Sequence, residues 1–360
     1  MRIAVYTITK NEERFIERWA ASAADADFIL LADTGSTDET TEIASDLGVD
    51  ILSVRVSPWR FDDARNASLA SIPSQMDLCI ALDADEVLQP GWREHLESIA
   101  PEVTRPRYKY VWSWNEDGSE GLSYSGDKIH ARHGYRWKHP VHEVLAPSLG
   151  MAEVQGWCDL QIHHHPDHSK SRNHYGSLLE WAVQEDPSDD RNAFYLGREY
   201  TYMREWGKAK AELLRYLDLP GATWPPERSA AMRLLAKSEP DRAEFWLLSA
   251  AAEAPNRREP WVDLAQHYHD TRRWADCYSS ALRALSITDK PLEYICEAQA
   301  WGATPHDLAA LSAYHLGLAT CLDHGAMAVA IESSNERLVE NYAFYVQRFG
   351  MNGNTHTSSS

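Results

Sequence analysis

A mostly parallel α/β domain followed by an all-α repeat domain is the fold class this sequence predicts, and three observations predict it. Strand-like and helix-like segments alternate over roughly the first 100 residues, as a parallel sheet with crossover helices requires. Three of the strand-like runs end in polar clusters: Thr9-Lys10-Asn11-Glu12, Asp33-Thr34-Gly35-Ser36 and Asp83-Ala84-Asp85. From about residue 187 the chain turns to continuous helix rich in Ala, Leu, Trp and Tyr, and it repeats itself. Leu196, Tyr200 and Trp206 recur as Leu264, Tyr268 and Trp274, each 68 residues on.

The elements follow in order. Residues 3–8 read as the first strand and 12–24 as a helix. Residues 28–32 read as the second strand, followed by a turn and a helix at 40–47. Residues 51–56 are the third strand, 64–71 a helix and 78–82 the fourth strand. Ligands of open α/β sheets bind at the carboxyl ends of the strands, so polar clusters at successive strand ends predict a site there. The fourth strand is the most informative, because its apolar run ends in Asp83-Ala84-Asp85-Glu86. Carboxylates beside a core are costly unless something positive neutralises them, and a divalent cation with oxygen ligands would do so. A polar loop in which Asp caps the next helix is the plainer alternative.

In the second half, the 68-residue offset is twice 34, the period of tetratricopeptide repeats. The intervening unit, residues 230–254, keeps that register weakly, with Ala209 and Ala243 at matching small-residue positions. The repeated Tyr and Trp are expected as core between paired helices, and a helical solenoid of this kind is a platform for a protein or peptide partner. The expected organisation is an α/β domain over residues 1–172, a helical repeat domain over 173–345 and a disordered tail over 346–360.

Composition narrows the function classes. The chain of 360 residues is long enough for two cores, and its net charge of −19 argues against wrapping nucleic acid by bulk electrostatics. Locally, Arg105, Arg107, Lys109, Lys128, Arg132, Arg136 and Lys138 stand among aromatics, as in a duplex or flipped-base site. The five cysteines contain no C-x-x-C pair, which suggests reduced thiols in a cytoplasmic protein. The opening "MRIAVYTITKNEE" turns polar too soon for a signal peptide. No apolar run approaches the roughly 20 residues of a membrane helix. A soluble cytoplasmic protein is expected.

The segments "TITKNEERFIERW", "LADTGSTDETTEIA", "DDARNASL" and "ALDADEVL", in that order, resemble the family 2 inverting glycosyltransferases of the GT-A fold. "HPVHEVL" and "LQIHHHPDHSKSR", followed by tetratricopeptide-like helices, look like the branch with a fused repeat domain. The resemblance implies transfer of a sugar from a nucleotide-sugar donor, with uridine diphosphate as the carrier and Mn²⁺ or Mg²⁺ on the diphosphate. Asp83-x-Asp85 resembles the D-x-D motif of that family. Asp85 would then bind the metal, and Asp83 would meet the ribose or metal-bound waters. Glu12 and Asp33 would hold the base and ribose, with Thr7 or Thr9 lining the same pocket. An exposed first-turn acid for Glu12 and an Asx turn for Asp33 are their plainer readings.

Arg65 would pair with the diphosphate, or else with Asp62 or Asp63. Glu143 would be the general base that takes the acceptor proton. Tyr135 and Trp137 would face a sugar, or else be core. A histidine of the 163–165 run would be a further metal ligand. The Ile-x-His spacing picks out His164, which strand alternation places on the face of Leu160 and Ile162, with His163 and His165 on the other face as the alternatives. Lys170 and Arg172 would close over the diphosphate, or else belong to a plain solvated linker.

A glycosidase is the first rival, since it too uses paired carboxylates, but hydrolysis needs neither a nucleotide pocket nor a metal motif. A degenerate domain serving as a non-enzymatic repeat scaffold is the second. For the acceptor, a protein or peptide side chain is favoured by the repeats, and hydroxymethylated bases of phage-type DNA are the main alternative. Similar enzymes also act on lipopolysaccharide core sugars, but no membrane anchor is legible here.

Overall fold

The computed structural model describes residues 1–115, 118–167 and 175–350. The chain divides into two units, one of residues 1–185 with 292–294 and one of residues 186–291 together with those from 295 on. The boundary expected at residue 172 lies outside the described residues.

In the first unit the elements run β1 (Ile3–Thr9), α1 (Glu13–Ser22), β2 (Phe28–Asp33), α2 (Thr40–Asp46), β3 (Asp50–Ser53), α3 (Phe61–Ser71) and β4 (Leu78–Ala81). They continue with β5 (Glu86–Leu88), α4 (Trp92–Glu97), β6 (Arg105–Val111), β7 (Ser123–Gly126), β8 (Ile129–Ala131), β9 (Tyr135–Lys138), β10 (Val144–Pro147), β11 (Gln155–His164) and α5 (Tyr175–Glu185). The main sheet has the order β3-β2-β1-β4-β8, parallel from β3 to β4 and closed by antiparallel β8. β1 and β4 are buried almost throughout, which is why they read as apolar runs. Their side chains fill both faces. Ile3, Val5 and Ile80 pack with Ile16 and Trp19 of α1 on one side. Ala4, Tyr6 and Cys79 pack with Leu69 of α3 on the other.

Strand order reverses about β1, because the chain moves outward to β2 and β3 and then returns to place β4 on the opposite side. The crevice at the carboxyl ends of β1 and β4 is therefore the switch point where α/β sheets bind ligands. A second sheet, β5-β11-β6-β7, lies beyond it. Its β5–β11 pairing sets Glu86 opposite His164, and this register brings the histidine run to the end of β4.

The second unit is all helical: α6 (Asp190–Tyr202), α7 (Trp206–Asp218), α8 (Pro225–Ser238), α9 (Ala243–Glu253), α10 (Arg258–Asp270), α11 (Trp274–Leu285), α12 (Ala298–Trp301), α13 (Thr304–Leu316), α14 (Cys321–Ile331) and α15 (Glu336–Phe349). α15 continues past residue 345, where the sequence reading ended the repeats. The internal repeat extends to the backbone. Arg204 and Arg272 both adopt positive φ, 59° and 57°. The next residue donates to the helix behind in both turns, Glu205 N to Tyr200 O and Arg273 N to Tyr268 O, each at 2.8 Å. Tyr200 and Tyr268 are buried as expected. The tryptophans are not core: Trp206 is 43% exposed and Trp274 is half-buried, stacked on His315 at 3.9 Å. Both open a helix directly after the turn, so their rings lie at the helix end. The Ala209–Ala243 match also fails, since Ala209 is wholly buried inside α7 whereas Ala243 opens α9 after a short 3-10 turn, half-buried. Among the described residues, no helix is long and apolar enough to cross a membrane.

Candidate active site

Five charged side chains form one connected group at the end of β4. Asp83 Oδ1 accepts from Arg65 Nη2 at 2.7 Å, and Asp83 Oδ2 from Lys128 Nζ at 2.5 Å. Lys128 also donates to Glu86 Oε1 at 2.8 Å, as does the Tyr110 hydroxyl at 2.6 Å. Glu86 Oε2 accepts from Asp83 N at 2.8 Å, and Arg65 Nε donates to Glu143 Oε1 at 2.5 Å. Glu86 is 1% exposed, so it is a buried brace beneath the Asp83 turn.

Local sequence explains each placement. α3 turns Arg65 inward with Ala64, Ser68 and Leu69. Lys128 follows β7, whose Gly126 lies against the Tyr108 ring so closely that a Cβ there would meet it at 2.3 Å. Glu143 is presented by a strained loop in which His139 and His142 have φ of 81° and 50°. Strain of this kind persists where the surroundings over-determine it. Val141 anchors the loop in the interior, and Phe61 N, at the start of α3, donates to Pro140 O at 3.0 Å.

The charges decide the ionisation states. Burial would push the Asp83 carboxyl up, but Arg65 and Lys128 outweigh it and hold its pKa far below the usual carboxylate range. The same acids keep Lys128 protonated against its burial. Burial, with the charges of Asp83 and Asp85, raises Glu86 despite Lys128.

Beside this group, Asp85 Oδ2 lies 3.2 Å from His164 Nε2. His164 Nδ1 is 2.9 Å from the carbonyl of Trp112, whose ring stacks on the imidazole at 4.2 Å. A carbonyl only accepts, so Nδ1 carries the proton and Nε2 is turned to Asp85. Burial would lower the His164 pKa, but the Asp85 carboxylate outweighs it and raises it. His163 and His165 lie elsewhere, ringed around Trp114. A carboxylate oxygen and an imidazole nitrogen suit Mn²⁺, and a carboxylate alone suits Mg²⁺. Among the described residues no three His, Cys, Asp or Glu converge on one point, so such an ion would draw its remaining ligands from donor and water.

Several expectations need correction. Arg65 does not pair with Asp62 or Asp63 (Asp62 belongs to Arg60), nor does it stand open to a diphosphate. It is 4% exposed, with two nitrogens committed to acids. Thr7 is wholly buried within β1, its hydroxyl donating to Ile8 O at 3.3 Å. Tyr135 and Trp137 are core, at 7% and 4% exposure. Trp137 Nε1 donates to Tyr6 OH at 2.8 Å and the Tyr135 hydroxyl meets Thr104 at 3.0 Å, so neither offers a ring face to a sugar. Five residues of the basic stretch are engaged internally. Arg105 and Arg107 pair with Asp127, Lys109 with Glu120, Lys128 as above, and Arg132 with the Ile72 carbonyl.

Thr9 lies at the end of β1 with its buried hydroxyl unpartnered among the described residues. Glu12 stands at the N-cap position of α1 without a side-chain capping bond, and its N–H donates to Thr40 Oγ1 at 2.8 Å. Asp33 ends β2 and accepts from Gly35 N and Ser36 N, both at 3.1 Å, which is an Asx turn. Lys170 and Arg172 lie outside the described residues. Lys128 and Tyr110 were not legible as residues of this site. The available signal was the acid cluster, which required a buried cation as much as a metal.

Residues 4–139 match the model of glycosyl transferase family 2. An uncharacterized glycosyltransferase of Rickettsia bellii is 33% identical over 108 residues, which are 30% of this chain and 35% of that protein. The match thus spans about a third of the relative's length. A TPR repeat-containing protein of Synechococcus elongatus is 28% identical over 314 residues, 85% of this chain and 70% of the relative. Among solved structures, S. aureus TarS superposes with a TM-score of 0.40 at 13% identity, covering 72% of this chain and 56% of that one.

Proposed function

Residues 4–139 are a glycosyl transferase family 2 domain, and from that premise we propose that the protein moves a sugar, with inversion, from a UDP-sugar to a side chain of a protein or peptide. The observation that carries this reading is the convergence of Asp83, Asp85, Glu143 and His164 at the β1/β4 switch point.

Asp85 and His164 are assigned to a Mn²⁺ or Mg²⁺ ion. When bound, that ion supplies Lewis-acid stabilisation of the charge gathering on the diphosphate. Glu12, Asp33 and Thr9, at the ends of β1 and β2, are assigned to the base and ribose, for which carboxylates are suitable acceptors. Glu143 accepts the proton of the acceptor nucleophile as its new bond to the anomeric carbon forms. The sugar–phosphate bond breaks on the opposite side, and the nucleoside diphosphate leaves with the electron pair. The tetratricopeptide-like helices support a macromolecular acceptor. Internal pairing of the basic stretch, with the net charge of −19, supports protein over duplex DNA.

The test is a thermal-shift panel of UDP-sugars with and without Mn²⁺, followed by transfer assays on wild type and Glu143→Gln. Binding to the native state raises the melting temperature by mass action. The expected result is a Mn²⁺-dependent shift with one UDP-sugar that Glu143→Gln retains, while its transfer rate falls at least about 100-fold. No shift with any nucleotide would leave the repeat scaffold as the better reading.

A further inference from the structure

We infer that Arg65 is a positioning residue that fixes the base and the donor-side acid as one unit, and is not itself a ligand of the donor; this rests on the transferase reading above. Its guanidinium spans the two carboxylates, Nε on Glu143 Oε1 at 2.5 Å and Nη2 on Asp83 Oδ1 at 2.7 Å. The third nitrogen, Nη1, is buried and unpartnered among the described residues. The planar fork lies 4.8 Å over the Trp137 ring. That ring is pinned by its bond to Tyr6, and the Trp137 backbone by two 2.9 Å bonds to Asn66, the next residue of α3. Arg65 therefore has no room to swing toward a phosphate. Doing so would strip Glu143 of its cation and leave Asp83 to Lys128 alone, breaking a largely buried pair from one side.

This arrangement selects an oxygen. Among the described residues Glu143 Oε1 is occupied by Arg65, so Oε2 is assigned to receive the acceptor proton. Asp83 is held at both oxygens, by Arg65 and Lys128, and is fixed in orientation before any donor arrives. The strained loop carrying Glu143 is tethered to the start of the helix that carries Arg65, through Phe61 N and Pro140 O. Base, loop and acid thus share one support, and pre-organisation of this kind shows in the rate more than in binding.

The test is a double-mutant cycle in the full chain with Arg65→Gln, Glu143→Gln and the pair, read as kcat and donor KM and, separately, as melting temperature. A residue acting through Glu143 gives non-additive losses. We expect Arg65→Gln to lower kcat about 100-fold with donor KM nearly unchanged, and the double variant to be no slower than Glu143→Gln. Added guanidinium should restore part of the Arg65→Gln rate, and Arg65→Lys should recover little, since an ammonium has no fork. A raised donor KM with unchanged kcat, or additive losses, would overturn the inference and make Arg65 a donor ligand. If Arg65→Gln does not fold, the cycle runs with Arg65→Lys from the more accessible Glu143 side. A wild type without turnover that still shows melting-temperature coupling overturns the transferase reading and keeps the Arg65–Glu143 unit. Absence of coupling in both readouts overturns the unit itself.

Discussion

His164 Nε2 faces Asp85 Oδ2 across 3.2 Å while Nδ1 is tied to the Trp112 carbonyl. Two electron-rich atoms at this distance require a positive charge between them, either a proton or a metal ion. The stacked Trp112 ring and the Nδ1 bond fix the imidazole in the orientation that such an ion needs.

Replacing either residue should therefore remove metal-dependent donor binding without unfolding the domain. Loss of even an outer partner of a ligand costs 10–100-fold in metal affinity. For Asp85→Ala or His164→Ala the expected weakening of Mn²⁺ binding is about 100-fold or more on that scale. Titration of Mn²⁺ in the presence of UDP, followed calorimetrically, checks it. Unchanged affinity in both variants would remove the pair from the donor site.

Lys128 carries a different prediction, about stability. It is the shared counter-ion of Asp83 and Glu86, and Glu86 is 1% exposed. Lys128→Met would leave three acids, Asp83, Glu86 and Glu143, with Arg65 as the one remaining cation of the group. Breaking a buried pair from one side costs about 3–5 kcal/mol, and the lower figure fits because the Lys128 side chain is 24% exposed. Adding Glu86→Gln should recover part of that loss, because the uncompensated charge goes with it. Urea unfolding of the two variants decides the point.

The α/β half was legible because its signals are local. Apolar runs with polar ends marked β1, β2 and β4, and the strand-end rule placed Glu12, Asp33 and Asp83 without any knowledge of the tertiary fold. The inward turn of His164, on the buried face of Leu160 and Ile162, was legible through alternation along a strand. What failed was whatever depends on partners distant in sequence. Arg65 looked like a surface or phosphate residue because its partners, Asp83 and Glu143, lie 18 and 78 residues away. Tyr135 and Trp137 alternate with Arg136 and Lys138, and that pattern does not say whether the aromatic face meets a sugar or α3. Lys128 belongs to no motif. In the repeats, the buried Tyr and the exposed or half-buried Trp share one periodicity, and only the turn geometry separates them.

A chain of hydrogen bonds beneath the site predicts a pH dependence. Trp137 Nε1 donates to Tyr6 OH at 2.8 Å, and Tyr6 OH meets His130 Nε2 at 3.0 Å. His130 Nδ1 is 2.8 Å from the Ala131 carbonyl. The carbonyl fixes the proton on Nδ1, so Nε2 accepts from Tyr6 and the ring is neutral. Burial is the main cause that lowers the His130 pKa to about 4, with the nearby Arg105 and Arg132 charges acting the same way against its Ala131 bond. The folded value lies below the unfolded one, so the unfolded chain binds more protons between them. Stability is full above about pH 6.5 and falls as the pH drops toward 4. The loss amounts to roughly 3 kcal/mol. His130→Gln, compared with wild type by urea unfolding at several pH values, should flatten the curve over that window. An unchanged slope would show that His130 is not the titrating group.

The repeat turns give a prediction that involves no site at all. Arg204 and Arg272 hold the left-handed conformation, φ 59° and 57°, where an L-residue is strained by its Cβ. At the end of α13 the corresponding need is met by Gly317, φ 76°, where an added Cβ would meet no other atom within 4 Å. Gly317→Ala thus isolates the backbone cost and should destabilise the protein by about 1 kcal/mol. Arg204→Gly and Arg272→Gly should each act in the opposite direction. The relief of strain is offset by the greater freedom glycine gives the unfolded chain, which leaves a gain of about 0.5 kcal/mol per turn. Chemical denaturation of the three variants measures all of this against one baseline. If the arginine variants lose stability instead, their side chains contribute more at the turn than their backbones cost.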